Sequence, residues 1–135
     1  MKILTAVLLV LFGFGSFTAV SAKQPERILV KINGSATAKG GIKIKFVELV
    51  EDSRCPTDTN CIWAGNAKIK VRITKNGRSK DLEMNTGLDP KEVFFAGYSF
   101  KLVGLTPQPR SDIRINRNGY VAKIEVQRSS NKEGT

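Results

Sequence analysis

Few side chains in this sequence could carry covalent chemistry. The chain has 135 residues, with no histidine and only two cysteines, Cys55 and Cys61. The absence of histidine removes His-based nucleophile triads, the usual general base near neutral pH and the commonest metal ligand. Five residues separate the cysteines, so they do not match a Cys-x-x-Cys redox centre. Most enzymatic mechanisms are therefore disfavoured, and we expect a protein that is not an enzyme.

Acidic residues concentrate only around the first cysteine, at Glu48, Glu51, Asp52 and Asp58. Their spacing does not match a calcium-binding loop, and nothing in the sequence places two carboxylates across a cleft as a glycosidase requires. We predict instead that the two aspartates accept hydrogen bonds from loop amides or pair with Arg54. The sequence therefore predicts no metal site and no cofactor.

Basic residues outnumber acidic ones, with 22 Lys and Arg against 12 Asp and Glu. The least compensated group is Arg110, Arg114 and Arg117, which have only Asp112 near them in sequence. Guanidinium groups bind phosphate and sulfate, so an anionic glycan or lipid is a candidate partner. No aromatic residues are interleaved with these arginines, which disfavours nucleic acid. The alternative is that the charges are simply solvated and keep the protein soluble.

The first residues have the pattern of an export signal. Lys2 precedes an apolar run from Ile3 to Phe14, and small residues follow up to Ala22. This predicts a signal peptide over residues 1–22, cleaved after Ala22, which leaves a mature net charge of +9. The apolar run is too short to span a bilayer, and no lipoprotein cysteine stands at the cut. We expect a periplasmic or secreted protein in which Cys55 and Cys61 form a disulfide.

Apolar and polar residues alternate between glycine, proline and asparagine residues along the rest of the chain, which predicts an all-β protein. We expect residues 23–128 to form one domain, a small immunoglobulin-like sandwich of six or seven antiparallel strands, with a small barrel as the alternative. Residues 129–135 are predicted to be a disordered tail. Residues 34–41 are expected to be a connection, and residues 113–115 a brief strand.

Asn76-Gly77 lies between two alternating runs and predicts a type I′ hairpin turn. The turn fixes the register of the two strands. The apolar pairs are then Val71 with Leu82 and Ile69 with Met84, and the charge pairs are Arg72 with Asp81 and Lys70 with Glu83. Because one register satisfies both sets, it is well specified. A further shift in alternation near Phe46 predicts a β-bulge.

Trp63 follows the second cysteine by two residues and is the only tryptophan. A lone tryptophan in a small β domain is usually core, so we expect its indole to pack over the disulfide. The alternative is an exposed ring that stacks on a sugar or a partner protein. Gly65 is expected to meet a backbone requirement, either a bulge or a positive φ.

The segment Asp52-Ser53-Arg54-Cys55-Pro56, continued by Cys61-Ile62-Trp63-Ala64-Gly65, resembles a motif of small exported bacterial proteins of mostly unassigned function. The resemblance extends to Leu105, Pro107, Pro109 and Tyr120. It implies a fold and a compartment, and it supplies no catalytic residues.

These observations favour an exported, non-enzymatic β-sandwich interaction module. Its partner would be an unknown protein or an anionic glycan or lipid of the envelope or medium. The candidate binding residues are Arg54, Trp63, Arg110, Arg114 and Arg117. The alternative function is inhibition of an exported hydrolase or protease, with the disulfide-closed loop 55–61 as the inserted segment, because a preorganised loop loses little entropy on binding.

Overall fold

The computed structural model describes Gly13, residues 15–19 and residues 23–129. Most of the predicted signal peptide, and the predicted tail beyond Ser129, lie outside the described residues. Ser129 itself donates a backbone hydrogen bond to the carbonyl of Gly97.

The described residues contain eight strands, which form two antiparallel four-stranded sheets that pack face to face and do not close into a barrel. The predicted all-β sandwich is confirmed, with eight strands rather than six or seven. One sheet has the order β1-β8-β7-β6 and the other β2-β3-β4-β5, so the likeness to an immunoglobulin domain lies in the two layers rather than in strand order. The strands are β1 (Glu26–Lys31), β2 (Ser35–Ala38), β3 (Ile42–Asp52), β4 (Ala67–Lys75), β5 (Arg78–Asn85), β6 (Glu92–Phe95), β7 (Tyr98–Thr106) and β8 (Val121–Arg128).

Alternate residues of each strand point between the sheets, and these positions carry the large apolar side chains. Ile42, Ile44 and Phe46 of β3 are completely buried, as are Ile69 and Val71 of β4. The register of β3 against β4 shifts after Phe46, which confirms the predicted bulge, and it shifts again after Leu49. Each shift lets β3 bend, and Leu49 beyond the first shift still packs against the core.

The hairpin predicted at Asn76-Gly77 is confirmed. Both turn residues have positive φ, 51° and 76°, as a type I′ turn requires. Val71 pairs with Leu82, and Arg72 pairs with Asp81 in the predicted register. The neighbouring predicted pairs, Ile69 with Met84 and Lys70 with Glu83, are also present.

Two short segments differ from the sequence prediction. Residues 34–41, expected to be a connection, contain β2, whose Ala36 pairs with Ile44. Because most residues there are small, the sequence lacks the alternation of large apolar and polar residues on which a strand prediction depends. Residues 113–115, expected to be a brief strand, form no strand, and only a single bridge joins Arg110 to Ile113. The apolar side chain of Ile113 is exposed, so alternation there did not reflect burial.

The strand directions gather the connections at two ends of the sandwich. We call one the disulfide end, which consists of the disulfide loop (residues 53–66), the 86–91 loop and the 107–120 connection. We call the other the basic end, which consists of residues 23–25 and 127–129 and the turns at 39–41, 76–77 and 96–97. The register brings these turns to the same end: Lys43 lies opposite Thr74, and Tyr98 lies opposite Arg128.

Candidate functional site

The disulfide loop extends beyond the sheet as a narrow, closed arm. Its two sides are joined by backbone hydrogen bonds from Ser53 to Asn66 (2.7 Å) and from Cys55 to Ala64 (2.9 Å). Gly65 has a φ of +75°, and a Cβ there would collide with the carbonyl oxygen of Ser53, so the expected backbone requirement is present. The close approach of the two sides therefore depends on glycine.

The predicted disulfide between Cys55 and Cys61 is present and closes the arm, with a Cα–Cα distance of 5.9 Å. The described part of the chain contains no free cysteine. A crosslink across so few residues adds about 2 kcal/mol by the loop-entropy estimate, and it holds the shape of the arm.

Arg54 anchors the arm to the body of the protein. Its Nε and Nη2 atoms donate to the two carboxylate oxygens of Asp52 at 2.7 and 2.9 Å, which confirms the predicted pairing. Nη1 donates to the carbonyl of Leu105 (2.5 Å), and Nη2 also donates to the carbonyl of Pro107 (2.9 Å). The side chains of Arg54 and Asp52 are only 8% and 11% exposed. Arg54 is therefore a structural clamp rather than a free binding group.

Tyr120 completes this clamp from the far end of the 107–120 connection, because its hydroxyl donates to Oδ2 of Asp52 at 2.9 Å. Burial raises the pKa of Asp52, but the hydrogen bonds from Arg54 and Tyr120 and the charge of Arg54 outweigh it, so the net pKa is lowered. Burial, followed by the hydrogen bond to Asp52, raises the pKa of Tyr120. Asp52 is thus held as a carboxylate and Tyr120 as a neutral phenol.

A second contact fixes the turn of the arm, residues 56–60. The carboxylate of Asp58 accepts hydrogen bonds from the hydroxyl of Ser111 and from its backbone amide, the latter at 2.9 Å. The side-chain bond first, and then the amide bond, lower the pKa of Asp58. The amide of Thr57 donates to the carbonyl of Pro109 (2.9 Å). The prediction that Asp58 accepts from a loop amide is correct, but the amide belongs to the 107–120 connection.

Buried asparagines join the base of the arm to the 86–91 loop. Asn66, which is almost completely buried, donates from Nδ2 to Oδ1 of Asn85 at 2.9 Å. The Oδ1 atom of Asn66 accepts hydrogen bonds from the backbone amides of Gly87 (2.9 Å) and Leu88 (3.2 Å). The arm is therefore held by polar contacts at its base, at Arg54 in its middle and at the turn around Asp58.

Trp63 is not a core residue, so the expectation that its indole caps the core is wrong: 54% of its surface is exposed. The strand that leads into the hairpin begins only at Ala67, so Trp63 lies on the arm, beyond the layer of core side chains. Ile62 beside it is fully exposed. The tip of the arm therefore presents two adjacent large apolar side chains to solvent.

The three predicted binding arginines of the connection do not form one uncompensated cluster. Arg110 donates through Nε and Nη2 to the carboxylate of Asp112 at 3.0 and 3.2 Å. The hydrogen bond with Asp112 is the largest cause of its raised pKa, to which the charge of Asp58 also contributes. Arg114 and Arg117 are exposed and line an open groove of about 450 Å³ that they share with Glu51 and Asp52. Arg110 is thus paired, whereas Arg114 and Arg117 form no ion pair among the described residues.

Sequence reasoning missed Tyr120 and Ile62 as parts of this site. The contact from Tyr120 to Asp52 spans 68 residues, and no local pattern signals it. Ile62 could have been noticed, because Ile62-Trp63 is an apolar pair in a loop that is otherwise polar. Among the described residues, no cluster of three or more cysteine or carboxylate ligands suits a metal ion.

Comparison of the chain with family models, curated proteins and solved structures gives no match. The resemblance to small exported bacterial proteins through residues 52–65 thus stays a prediction. Within the residues that the structure describes, there is no helix with the length and apolar character needed to cross a bilayer.

Proposed function

We propose that the mature protein is an exported, non-enzymatic interaction module that binds a protein partner through the tip of the disulfide loop. The observation that carries this proposal is the exposure of Ile62 and Trp63 on an arm that is otherwise held rigidly. Tryptophan is enriched among the residues that dominate protein interfaces, and a neighbouring apolar side chain adds buried area.

The rigidity of the arm supports the proposal through the cost of binding. A flexible loop must lose conformational freedom when it docks, and that loss subtracts from affinity. Here the disulfide, the Arg54–Asp52 pair and the Asp58–Ser111 contact already restrict the arm. The apolar tip is therefore preorganised, and most of the apolar area that it buries would contribute to affinity.

An anionic partner at the 107–120 connection is less well supported. Arg110 is paired with Asp112, and Arg114 and Arg117 share their groove with Glu51 and Asp52. A phosphate or sulfate group there would meet carboxylates as well as guanidinium groups. The five predicted binding residues thus comprise a clamp (Arg54), an exposed tryptophan (Trp63), one paired arginine (Arg110), and two exposed arginines beside Glu51 (Arg114 and Arg117).

A second candidate, inhibition of an exported hydrolase or protease, is favoured by the shape of the arm. Ile62 lies next to the disulfide, is fully exposed and could enter a specificity pocket of an enzyme. In that case the protein captured by the arm would be a hydrolase, and its activity would fall when the wild-type protein is added.

Capture experiments with matched variants test the proposal. Immobilised wild-type protein is compared with the double variant Ile62→Ser, Trp63→Ser, using envelope extract and culture medium. The control is Leu29→Ser, Phe94→Ser, which removes exposed apolar side chains from β1 and β6. We expect a protein that the wild type and the control retain and the tip variant loses, and that binds wild type directly when purified.

Two outcomes would overturn the proposal. In one, the tip variant and the control retain the same proteins as wild type. In the other, a captured protein depends equally on both pairs of side chains, which would indicate general hydrophobic adhesion. Circular dichroism of each variant verifies that the fold is intact.

A further inference from the structure

The basic end of the sandwich contains a pocket that none of the sequence predictions identified. It lies between the start of the mature chain, the β2–β3 turn and the end of β8, with a volume of about 590 Å³. The side chains that matter for its chemistry are Lys23, Glu26, Lys39, Tyr98 and Arg128. They come from the start of β1 and the residues before it, the β2–β3 turn, β7 and β8, so they come together only when both sheets have formed.

The ring of Tyr98 organises the cations at this pocket. The Nζ atom of Lys75 lies 5.4 Å from the ring centroid, and the guanidinium carbon of Arg128 lies 5.8 Å from it. Lys75 also donates to the carbonyl of Gly40 at 2.6 Å. Arg78, the hairpin partner of Lys75, lies 5.7 Å from the ring centroid of Phe95. Aromatic rings and a carbonyl thus hold these cations in place while leaving donors available.

Cations outnumber carboxylates among the described residues that line this pocket. Within the described part of the chain, Lys23, Lys39, Lys75 and Arg128 form no ion pair. Glu26 is the one acidic residue among the described residues that line the pocket, and its Oε2 accepts from the backbone amide of Lys39 at 2.9 Å.

Two arginines on the strands, by contrast, have carboxylate partners. Arg27 pairs with Glu125 on the β1–β8 sheet, and Arg72 pairs with Asp81 on the other. Among the described residues that line the pocket, the cations Lys23, Lys39 and Arg128 outnumber the single carboxylate of Glu26, so the net positive charge attracts anions from solution.

We propose that this pocket binds acidic sugar residues of an anionic polysaccharide. Lys39 and Arg128 would bind the sulfate, carboxylate or phosphate groups, and the accessible part of the Tyr98 ring would contact the apolar face of a sugar. The combination of a half-buried aromatic ring with several unpaired cations suits a ligand that is both cyclic and acidic. The size of the pocket lies in the range typical of small-ligand sites.

The shape and composition of the pocket favour a glycan over other anionic macromolecules. A membrane surface would favour a convex basic face with exposed apolar side chains, whereas these cations surround a concave space. Nucleic acid bound as a single strand would favour several rings for successive bases, and Tyr98 is the one ring among the described pocket-lining residues.

Calorimetric titration with a heparin-derived hexasaccharide tests the proposal, with maltohexaose as the uncharged probe. Lys39→Gln combined with Arg128→Gln should weaken binding about tenfold, because two charge-assisted contacts are lost. Tyr98→Leu should also weaken binding. Maltohexaose should not bind measurably, and affinity for the hexasaccharide should fall as salt increases.

Two double variants provide controls of equal charge: Arg114→Gln with Arg117→Gln at the disulfide end, and Lys43→Gln with Lys45→Gln on the exposed face of β3. Both should bind within about twofold of wild type, because distant exposed charges are screened. Equal losses in all three double variants would show that net charge alone causes binding and would overturn the proposal. Binding to phosphatidylglycerol vesicles that depends on Lys39 and Arg128, without binding to the hexasaccharide, would overturn the choice of a glycan.

This inference is independent of the proposed function at the disulfide end. The variant with Lys39→Gln and Arg128→Gln should still capture the protein partner, and the variant with Ile62→Ser and Trp63→Ser should still bind the hexasaccharide. A negative result at one end therefore contradicts only the proposal for that end.

Discussion

The two ends of the sandwich differ in what their basic side chains contact. At the disulfide end, Arg54 and Arg110 are paired with carboxylates, and the clamp of Arg54 with Asp52 is largely buried. At the basic end, Lys75 and Arg128 rest against the ring of Tyr98 and have no ion pair among the described residues. The paired arginines of the disulfide end therefore fix loops, whereas Lys75 and Arg128 at the basic end are available to a ligand.

This contrast shows why counting basic residues along the sequence is a poor guide to anion binding. The arginines of the 107–120 connection look uncompensated in sequence, yet Arg110 is paired with Asp112, and the groove that Arg114 and Arg117 line is lined by Glu51 and Asp52 too. The pocket cations are scattered from Lys23 to Arg128 and look unremarkable one by one. An excess of charge becomes a site only where folding assembles it without neutralising it.

The largest expected effect comes from breaking the clamp with Arg54→Met. The substitution leaves the carboxylate of Asp52 largely buried without its cation, and the carbonyls of Leu105 and Pro107 lose their donors. We expect the free energy of unfolding to fall by about 3 kcal/mol, measured by chemical denaturation. Capture of the protein partner should fall too, because the arm loses its anchor, whereas hexasaccharide binding at the basic end should persist.

Arg72→Met is the matched control for this variant. It also removes an arginine with a two-point contact to an aspartate, but the Arg72 and Asp81 side chains are 48% and 42% exposed. Solvent screens such a pair, so the loss of stability should be much smaller. Similar losses in the two variants would contradict the contrast between a structural clamp and a surface ion pair.

A structural feature can be predicted from this sequence when the residues that determine it are near neighbours in the chain. The β4–β5 hairpin is predicted down to its register, because Asn76-Gly77 fixes the turn and the flanking alternation fixes the faces. The disulfide and the Arg54–Asp52 pair are predicted because their members are near neighbours in sequence. Local rules suffice in each of these cases.

Features that depend on the packing of distant segments could not be predicted in this way. The bond from Tyr120 to Asp52 requires the 107–120 connection to return to the end of β3. The basic pocket requires β1 to pair with β8 and the β2–β3 turn of the opposite sheet to lie beside them. The expectation that Trp63 is a core residue is wrong because the usual burial of a lone tryptophan does not apply to an arm that lies outside both sheets.

A smaller effect, at the basic end, is expected from Gly77→Val. The valine must adopt a φ near +76°, which β-branched residues tolerate poorly, so we expect a loss of about 2 kcal/mol in unfolding free energy. Lys75 and Arg78 flank this turn, so hexasaccharide affinity should also fall, whereas partner capture by the arm should not. Gly77→Asn is the control, since asparagine accepts positive φ and should retain most of the stability. An unchanged melting temperature for the valine variant would contradict the turn geometry.

The smallest effect, from Tyr120→Phe, sharpens the comparison through its pH dependence. The variant loses one hydrogen bond to a carboxylate, so we expect it to be less stable than wild type by about 1.5 kcal/mol at neutral pH. Because the folded-state pKa of Asp52 is lowered, its contribution is complete above the unfolded value of 3.8 and is lost as the pH falls through the folded pKa. The raised pKa of Tyr120 gives the opposite sign, since that contribution is complete below pH 10.0 and is lost as the pH rises through the folded pKa. The stability difference between wild type and variant, measured by urea denaturation across the pH range, should therefore be largest between these limits and shrink beyond each.

Tyr98→Phe is the control for this variant. It removes a hydroxyl at the basic end that donates to no carboxylate among the described residues, so its stability difference from wild type should not shrink in acid. A Tyr120→Phe difference that stays constant into strong acid would mean that the hydroxyl does not stabilise the Asp52 carboxylate, and the clamp would then consist of Arg54 alone.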